Sequence, residues 1–311
     1  MNVPQKGSSR TALARFDNHP RAGFALGLAA YGLWGVLPIY FEALRSVPAV
    51  DIVAHRVLWS LPFLAVLVWL GGGKAKVRAA IMRPKTVGML FVTALLIGGN
   101  WLLYVYAVTS GHILAASFGY YLNPLANVLL GRFVLREKLS RTQWAAVAIA
   151  AAGISVLAVG ALAQLWMSLT LCLTFALYGL LRKIVPTDAL TGLAIETAIL
   201  FPLAIAWLGW LALASQPVLG TAPRDTGLLL LAGVVSTTPL LLFTAAAKRL
   251  PYSTLGMLQF LAPTLQFLIA VLLYDEPVTL AHMVAFPAIW AALVLYVMAM
   301  LRAPKLPQPP E

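Results

Sequence analysis

Two ionisable side chains stand inside long apolar runs, where a bilayer penalises charge: Arg56, beside His55, and Glu196. An ionisable residue within a hydrophobic span is a functional candidate by default. Glu196 has the chemistry to bind a cationic group or to exchange a proton, which makes it a candidate for coupling. Arg56 has the chemistry to meet a carboxylate, with His55 as a helper. Each has a plainer reading beside it. Arg56 can snorkel toward the headgroups, and Glu196 can sit in a buried structural hydrogen bond.

Uncharged polar residues recur at helical spacing in the same kind of run. Ser117, Tyr120, Asn123 and Asn127 follow one another at intervals of three, three and four, which assigns them to one helix face. Gln259 and Gln266, seven apart, share a face of another helix. Pro124 and Pro263 lie within these two stripes. Each removes a backbone donor and frees a carbonyl, which is tolerable where protein or water satisfies it again. Asn100 and Tyr104 share a face next to Trp101, and Thr237 lies in Ser236-Thr237-Thr238-Pro239. Polar groups beside aromatic planes suit an amphipathic or aromatic solute in a water-accessible cavity. The competing reading is that the amides hold helices together and that the aromatics are ordinary packing.

The elements that must carry these residues follow from composition. The 311 residues are 61% hydrophobic and 10% charged, with a mean hydropathy of +0.88. Soluble domains are about 45–50% apolar and about 25% charged, so a water-soluble globule is excluded. Apolar stretches fall at about 22–43, 50–70, 87–108, 112–134, 143–161, 164–182, 191–213, 227–247, 252–273 and 280–301. Each is of the length that crosses the hydrocarbon as a helix, about 20 residues, and a helix satisfies its own backbone groups in lipid. The expectation is an all-α membrane protein of ten spans.

Lys and Arg confirm the alternation of the connections. Those on the side of both tails hold 19, and those on the other side hold 2. The positive-inside rule then places both termini in the cytoplasm. The tails are 1–21 and 302–311, and the first run reads as a retained span rather than a cleaved signal. Basic residues lie between apolar runs and form no stripe with exposed aromatics, so nucleic acid is not an expected partner despite a net charge of +12. Cys172, the one cysteine, has no disulfide partner within the chain. His, Cys and acidic residues show no metal-ligand spacing, and there is no HExxH, GxSxG or P-loop motif. No metal or cofactor is implied, and the chain does not read as an enzyme.

The chain also resembles itself. At a shift of 139, Leu122-Asn123-Pro124 falls on Leu261-Ala262-Pro263, Ala107 on Ala246 and Glu137 on Glu276. Trp34-Gly35 falls on Tyr178-Gly179 at a shift of 144, and Arg56 on Glu196 at 140. Two five-helix halves, 22–161 and 164–301, are expected. Five is odd, so the second is inserted upside down, and such repeats place a binding site near the midplane between them. At 1.5 Å per residue Arg56 and Glu196 are each about 9 Å deep from opposite faces, leaving about 12 Å between their levels. Glu137 and Glu276 read as helix-end structure, and Ser140 to Gln143 as a capping box.

Several motifs in order resemble one known family. They are Ala30-Tyr31-Gly32-Leu33-Trp34-Gly35-Val36-Leu37-Pro38, His55-Arg56-Val57-Leu58-Trp59-Ser60, Asn100-Trp101-Leu102-Leu103-Tyr104 with the Leu96–Gly99 run before it, Gly119-Tyr120-Tyr121-Leu122-Asn123-Pro124-Leu125, Ile195-Glu196-Thr197 and the stretch Ser253–Thr264. These resemble the RarD proteins, in the EamA branch of the drug/metabolite transporter superfamily, over about residues 20 to 302. The resemblance implies a bacterial inner-membrane permease with ten helices and two EamA repeats. The family label refers to chloramphenicol, and superfamily relatives export amino acids and other metabolites. The expected function is secondary transport, with a small-molecule substrate contacted by the residues named above and membrane lipid around the helices. A channel, a non-transporting sensor or assembly protein, and an intramembrane hydrolase are the rivals; the last lacks a mid-span base to activate a nucleophile.

Overall fold

A computed structural model describes residues 20–110, 112–158, 165–216, 219, 222–275 and 278–302. Residues 1–19 and 303–311, Glu276 and residues 159–164, where the junction of the two expected halves falls, lie outside the described residues. The apolar runs form α1 (Pro20–Glu42), α2 (Ala49–Leu70), α4 (Pro84–Thr109), α5 (Ile113–Phe133), α6 (Arg141–Leu157), α7 (Leu165–Ile184), α8 (Ala189–Leu213), α9 (Pro223–Arg249), α10 (Tyr252–Leu258) with α11 (Leu261–Leu273), and α12 (Leu280–Arg302). Among the described residues there is no strand. Eight of the helical segments are long and apolar enough to cross a membrane, counting α10 and α11 together, and α6 is a shorter apolar helix. The protein is therefore an all-helical, multi-pass membrane protein.

Local chemistry explains where the helices stop. Gly72 takes a φ of +63° after α2. Gly73 N–H then reaches back to Val68 O at 2.8 Å and Gly72 N–H to Trp69 O at 3.2 Å, a Schellman ending that a glycine in the left-handed region permits. Ser140 and Gln143 form the reciprocal capping box that opens α6. Two features depart from the sequence reading. The basic connection after α2 is itself helical, α3 (Lys74–Ile81). The span at 252–273 is broken at Gln259-Phe260. Pro263 cannot donate to Gln259 O and its ring crowds that carbonyl, and Ala262 N–H bonds it instead at 3.1 Å. The tighter bond ends α10 and starts α11.

Packing joins the N-terminal and C-terminal parts of the chain. α1 packs on α9 and α11, α2 on α8 and α9, α4 on α7 and α8, α5 on α7 and α10, and α6 on α12. The largest buried apolar cluster draws on α1, α2, α4 and α7 to α11. Close approach between α5 and α10 needs glycine. A Cβ on Gly256 would meet Pro124 O and Asn127 Cβ at 2.8 Å, and one on Gly131 would meet Ser253 N at 2.9 Å.

Candidate functional site

A cavity of about 480 Å³ lies among α1, α2, α4, α5, α7, α9, α10 and α11. Seven of the residues singled out from the sequence line it: Arg56, Asn100, Trp101, Tyr104, Tyr120, Gln259 and Gln266, and Ser117 joins them. The cavity extends to Phe41 and Glu42 at the end of α1, where the Glu42 side chain is half exposed. Asn100 anchors its wall. Its Nδ2 donates to Leu171 O and Thr174 Oγ1, both at 2.9 Å, and its Oδ1 accepts from the Tyr120 hydroxyl at 3.0 Å. Tyr104 and Tyr120 meet at 5.6 Å between ring centroids. Gln266 Nε2 donates to Trp34 O at 3.1 Å, tying α11 to α1. The Arg56 guanidinium lies over the Trp101 ring at 4.4 Å, with Phe41 at 6.0 Å.

Five other candidates lie off this lining. Asn127 is fully buried and donates to Gln259 Oε1 at 2.8 Å, so it acts on the cavity through a residue that lines it. Asn123 is fully buried, and neither its Oδ1 nor its Nδ2 has a hydrogen-bond partner among the described residues. The reason is angular. Each step of three residues turns the helix back by about 60°, so Asn123 is about 120° round from Ser117 and the spacing does not make one straight stripe. Thr237 donates to Ser60 Oγ at 2.5 Å, bridging α9 to α2. His55 is buried and accepts from Trp59 Nε1 at 3.3 Å; one residue from Arg56, it is turned by about 100°.

Glu196 is also elsewhere. It is buried, with Oε1 at 3.5 Å from Arg182 Nε. Thr93 Oγ1 donates to Oε1, and the Tyr178 hydroxyl to Oε2 at 3.4 Å. Arg182, counted from the sequence among the cations of a connection, is in the last turn of α7 and fully buried. Gly192 makes its room: a Cβ there would come within 1.9 Å of Arg182 Nη1. A void of about 20 Å³, enough for about one water, touches Glu196, Thr237, Ser60, Trp101 and Ser236. Trp101 and Ser236 also line the large cavity.

Sequence reasoning missed Tyr31, Trp34, Phe41 and Phe175, which complete the aromatic wall. Trp34 packs against Phe175 at 5.8 Å and Tyr31 at 5.7 Å. The Trp34-Gly35 motif held a signal for this wall. A Cβ on Gly35 would meet Leu265 at 2.6 Å, so the glycine lets α11 approach α1 beside Trp34.

At the other end of the bundle, polar contacts tie the helix ends together. Arg136 takes a φ of +57° after α5, a conformation uncommon for a residue with a Cβ. Beyond that turn Glu137 accepts from Tyr252 N at 2.5 Å, Ser253 N at 2.9 Å and Ser253 Oγ at 2.6 Å. Lys183 Nζ donates to Ala247 O at 2.8 Å and to Leu250 O, while Lys248 Nζ donates to Lys183 O at 3.1 Å and to Val185 O. In the connection before α8, Asp188 accepts from Thr191 N at 2.8 Å and pairs with Lys76 of α3 at 3.4 Å. Burial pushes the Asp188 carboxyl up, but the Thr191 bonds and the Lys76 charge outweigh it and hold the pKa below its ordinary value.

Residues 21–159 match the EamA-like transporter family. An "Uncharacterized transporter" of Vibrio cholerae is 45% identical across 91% of this chain and 94% of that protein. "Protein RarD" of Escherichia coli (strain K12) is 45% identical across 89% of this chain and 94% of its own length. The chain belongs to the RarD group of EamA-like transporters. It is thus a multi-pass membrane transporter and not an enzyme. A further relative of this RarD permease, the "Chloramphenicol-sensitive protein RarD" of Pseudomonas aeruginosa, is 35% identical across 88% of this chain and 92% of that one. A solved crystal structure covering 92% of this chain and 100% of its own has a TM-score of 0.70 at 17% identity, and shares the fold alone.

Proposed function

We propose that this permease is an inner-membrane secondary transporter that exports small metabolites or drugs, amino-acid-like or chloramphenicol-like, by alternating access through the central cavity. One observation carries the reading: the cavity is walled by residues from both the N-terminal and the C-terminal parts of the chain. Two inverted five-helix halves, 22–161 and 164–301, account for the packing. Under that repeat the α5–α7 contact corresponds to α11–α1, and α4–α7 to α9–α1, and all four pairs pack. Arg136 and Asp275, 139 apart, both hold a positive φ, which the repeat also explains. With both termini cytoplasmic, a reading that the 19 to 2 division of cations supports, the end at Glu42 faces outward and the Glu137 contacts face the cytoplasm.

Coupling to protons falls to Glu196. Protonation would neutralise the carboxylate and leave the fully buried Arg182 unpaired, so proton uptake is linked to movement of α7 against α8. The test is counterflow in proteoliposomes loaded with chloramphenicol or an amino-acid panel. Saturable, trans-accelerated exchange is expected; flux that never saturates and shows no trans-acceleration would mean a channel. Wild-type flux driven by a pH gradient and retained in full by Glu196→Gln would remove the coupling role.

A further inference from the structure

Arg56 and Arg182 are both arginines within spanning helices, and the fold treats them differently. Arg182 has Glu196. Arg56 lines the cavity, its Nε is buried without a hydrogen-bond partner, and no carboxylate pairs with it among the described residues. Among the described residues the one acid on the cavity wall, Glu42, is bound to Arg45 at 3.3 Å at the exposed rim. A snorkelling arginine would carry its charge out to the headgroups. Arg56 instead rests on the face of Trp101 at 4.4 Å inside the cavity. An indole face offsets only part of the cost of a desolvated cation. The Arg56 Cζ lies over that ring at 4.4 Å, and a ring has no oxygen to accept from the guanidinium N–H fork, the part that matches the two oxygens of a carboxylate.

We propose that Arg56 is the anion-binding residue of the cavity, and that the transported solute is a small organic anion, a carboxylate joined to an apolar or aromatic body. The body lies against Trp101, Tyr104 and Tyr120, and Gln259 Nε2 and Gln266 Oε1, the amide atoms that Asn127 and Trp34 do not engage, remain for a second polar group. The volume of about 480 Å³ falls within the range of small-molecule sites, about 300–1,000 Å³. The inference rests on the cavity being the transport pathway, and binding can be measured without transport.

The test uses the full chain in phosphatidylcholine vesicles. Phenylacetate, benzoate and hexanoate are each titrated beside their primary amides, with tryptophan fluorescence and thermal shift as readouts. The expected result is saturable binding of a carboxylate, at least tenfold weaker binding of its amide, and at least tenfold loss in Arg56→Gln. Arg56→Lys, which keeps the charge without the fork, is expected to recover part of the affinity. Equal binding of acid and amide, binding unchanged in Arg56→Gln, or no carboxylate binding by the folded wild type would overturn the proposal. Should the glutamine variant not fold, an unchanged affinity in Arg56→Lys together with equal binding of acid and amide would overturn it. Displacement of phenylacetate by phosphatidylglycerol, dependent on Arg56, would assign the anion site to a lipid headgroup and overturn the solute reading. Specific binding without counterflow would support the site and count against the transport reading alone.

Discussion

Glu137→Gln tests whether the Glu137 contacts are a reversible latch that seals their end of the bundle. In the sealed state the Glu137 carboxylate accepts three hydrogen bonds, from Tyr252 N, Ser253 N and Ser253 Oγ. It does so at the start of α10, where a carboxylate suits the unpaired helix N–H groups. Glutamine keeps the size but offers one oxygen, and its NH₂ faces donors. At least one charge-assisted bond is lost, worth about 1.5–3 kcal/mol. If opening this end breaks the same bonds in the wild type, the loss falls on the sealed state alone. About 2 kcal/mol then shifts the ratio of open to sealed molecules by roughly 30-fold, since about 1.4 kcal/mol is a factor of ten. Spin labels at Lys138 and Pro251, both exposed, flank the latch. Pulsed electron resonance should show a longer-distance population growing in Glu137→Gln. A distance distribution identical to wild type, in a variant with unchanged melting temperature, would refute the latch.

Gly192→Ala should destabilise the protein, because its Cβ would collide with Arg182 Nη1 at 1.9 Å and force the Arg182–Glu196 pair apart. Breaking a buried pair costs about 3–5 kcal/mol. Gly209→Ala meets nothing within 4 Å and should leave thermal unfolding unchanged or slightly raised, which controls for the alanine itself. Asp188→Asn should lower stability at neutral pH. The folded-state pKa of Asp188 is depressed, so its contribution is complete above the unfolded value of about 4 and is lost as pH falls through the folded one. The gap between wild type and variant in melting temperature should therefore close below about pH 4, and a gap constant from pH 7 to pH 3 would contradict the Lys76 and Thr191 assignment.

Hydropathy located the helices to within a few residues, because lipid leaves the backbone little choice but the helix. The break at Gln259-Phe260 was implicit in Pro263, yet a free carbonyl alone did not say whether the helix would continue, as α5 does through Pro124, or divide. The cavity residues were legible where a polar group sits in an apolar run: Asn100, Tyr120, Gln259 and Gln266 were found this way. The same signal could not separate cavity from interface for Asn127 and Thr237, whose partners, Gln259 and Ser60, are supplied by other helices. Glu196 drew attention through its depth, but its partner Arg182 was hidden by its place at a span end, where a cation usually faces water. Phe175 carried no polar mark at all. Its role on the wall follows from packing against Trp34, which only the three-dimensional arrangement supplies.

The central claim is that the cavity opens to each side of the membrane in turn. Its most direct measurement is the labelling of Gln266→Cys, in a Cys172→Ala background, by a membrane-impermeant thiol reagent applied to either face of oriented vesicles. The account predicts reaction from the Glu42 side in the otherwise wild-type chain, and reaction from the opposite side once Glu137→Gln releases the latch. Protection from both faces in both proteins, with surface cysteines labelled normally, would contradict it.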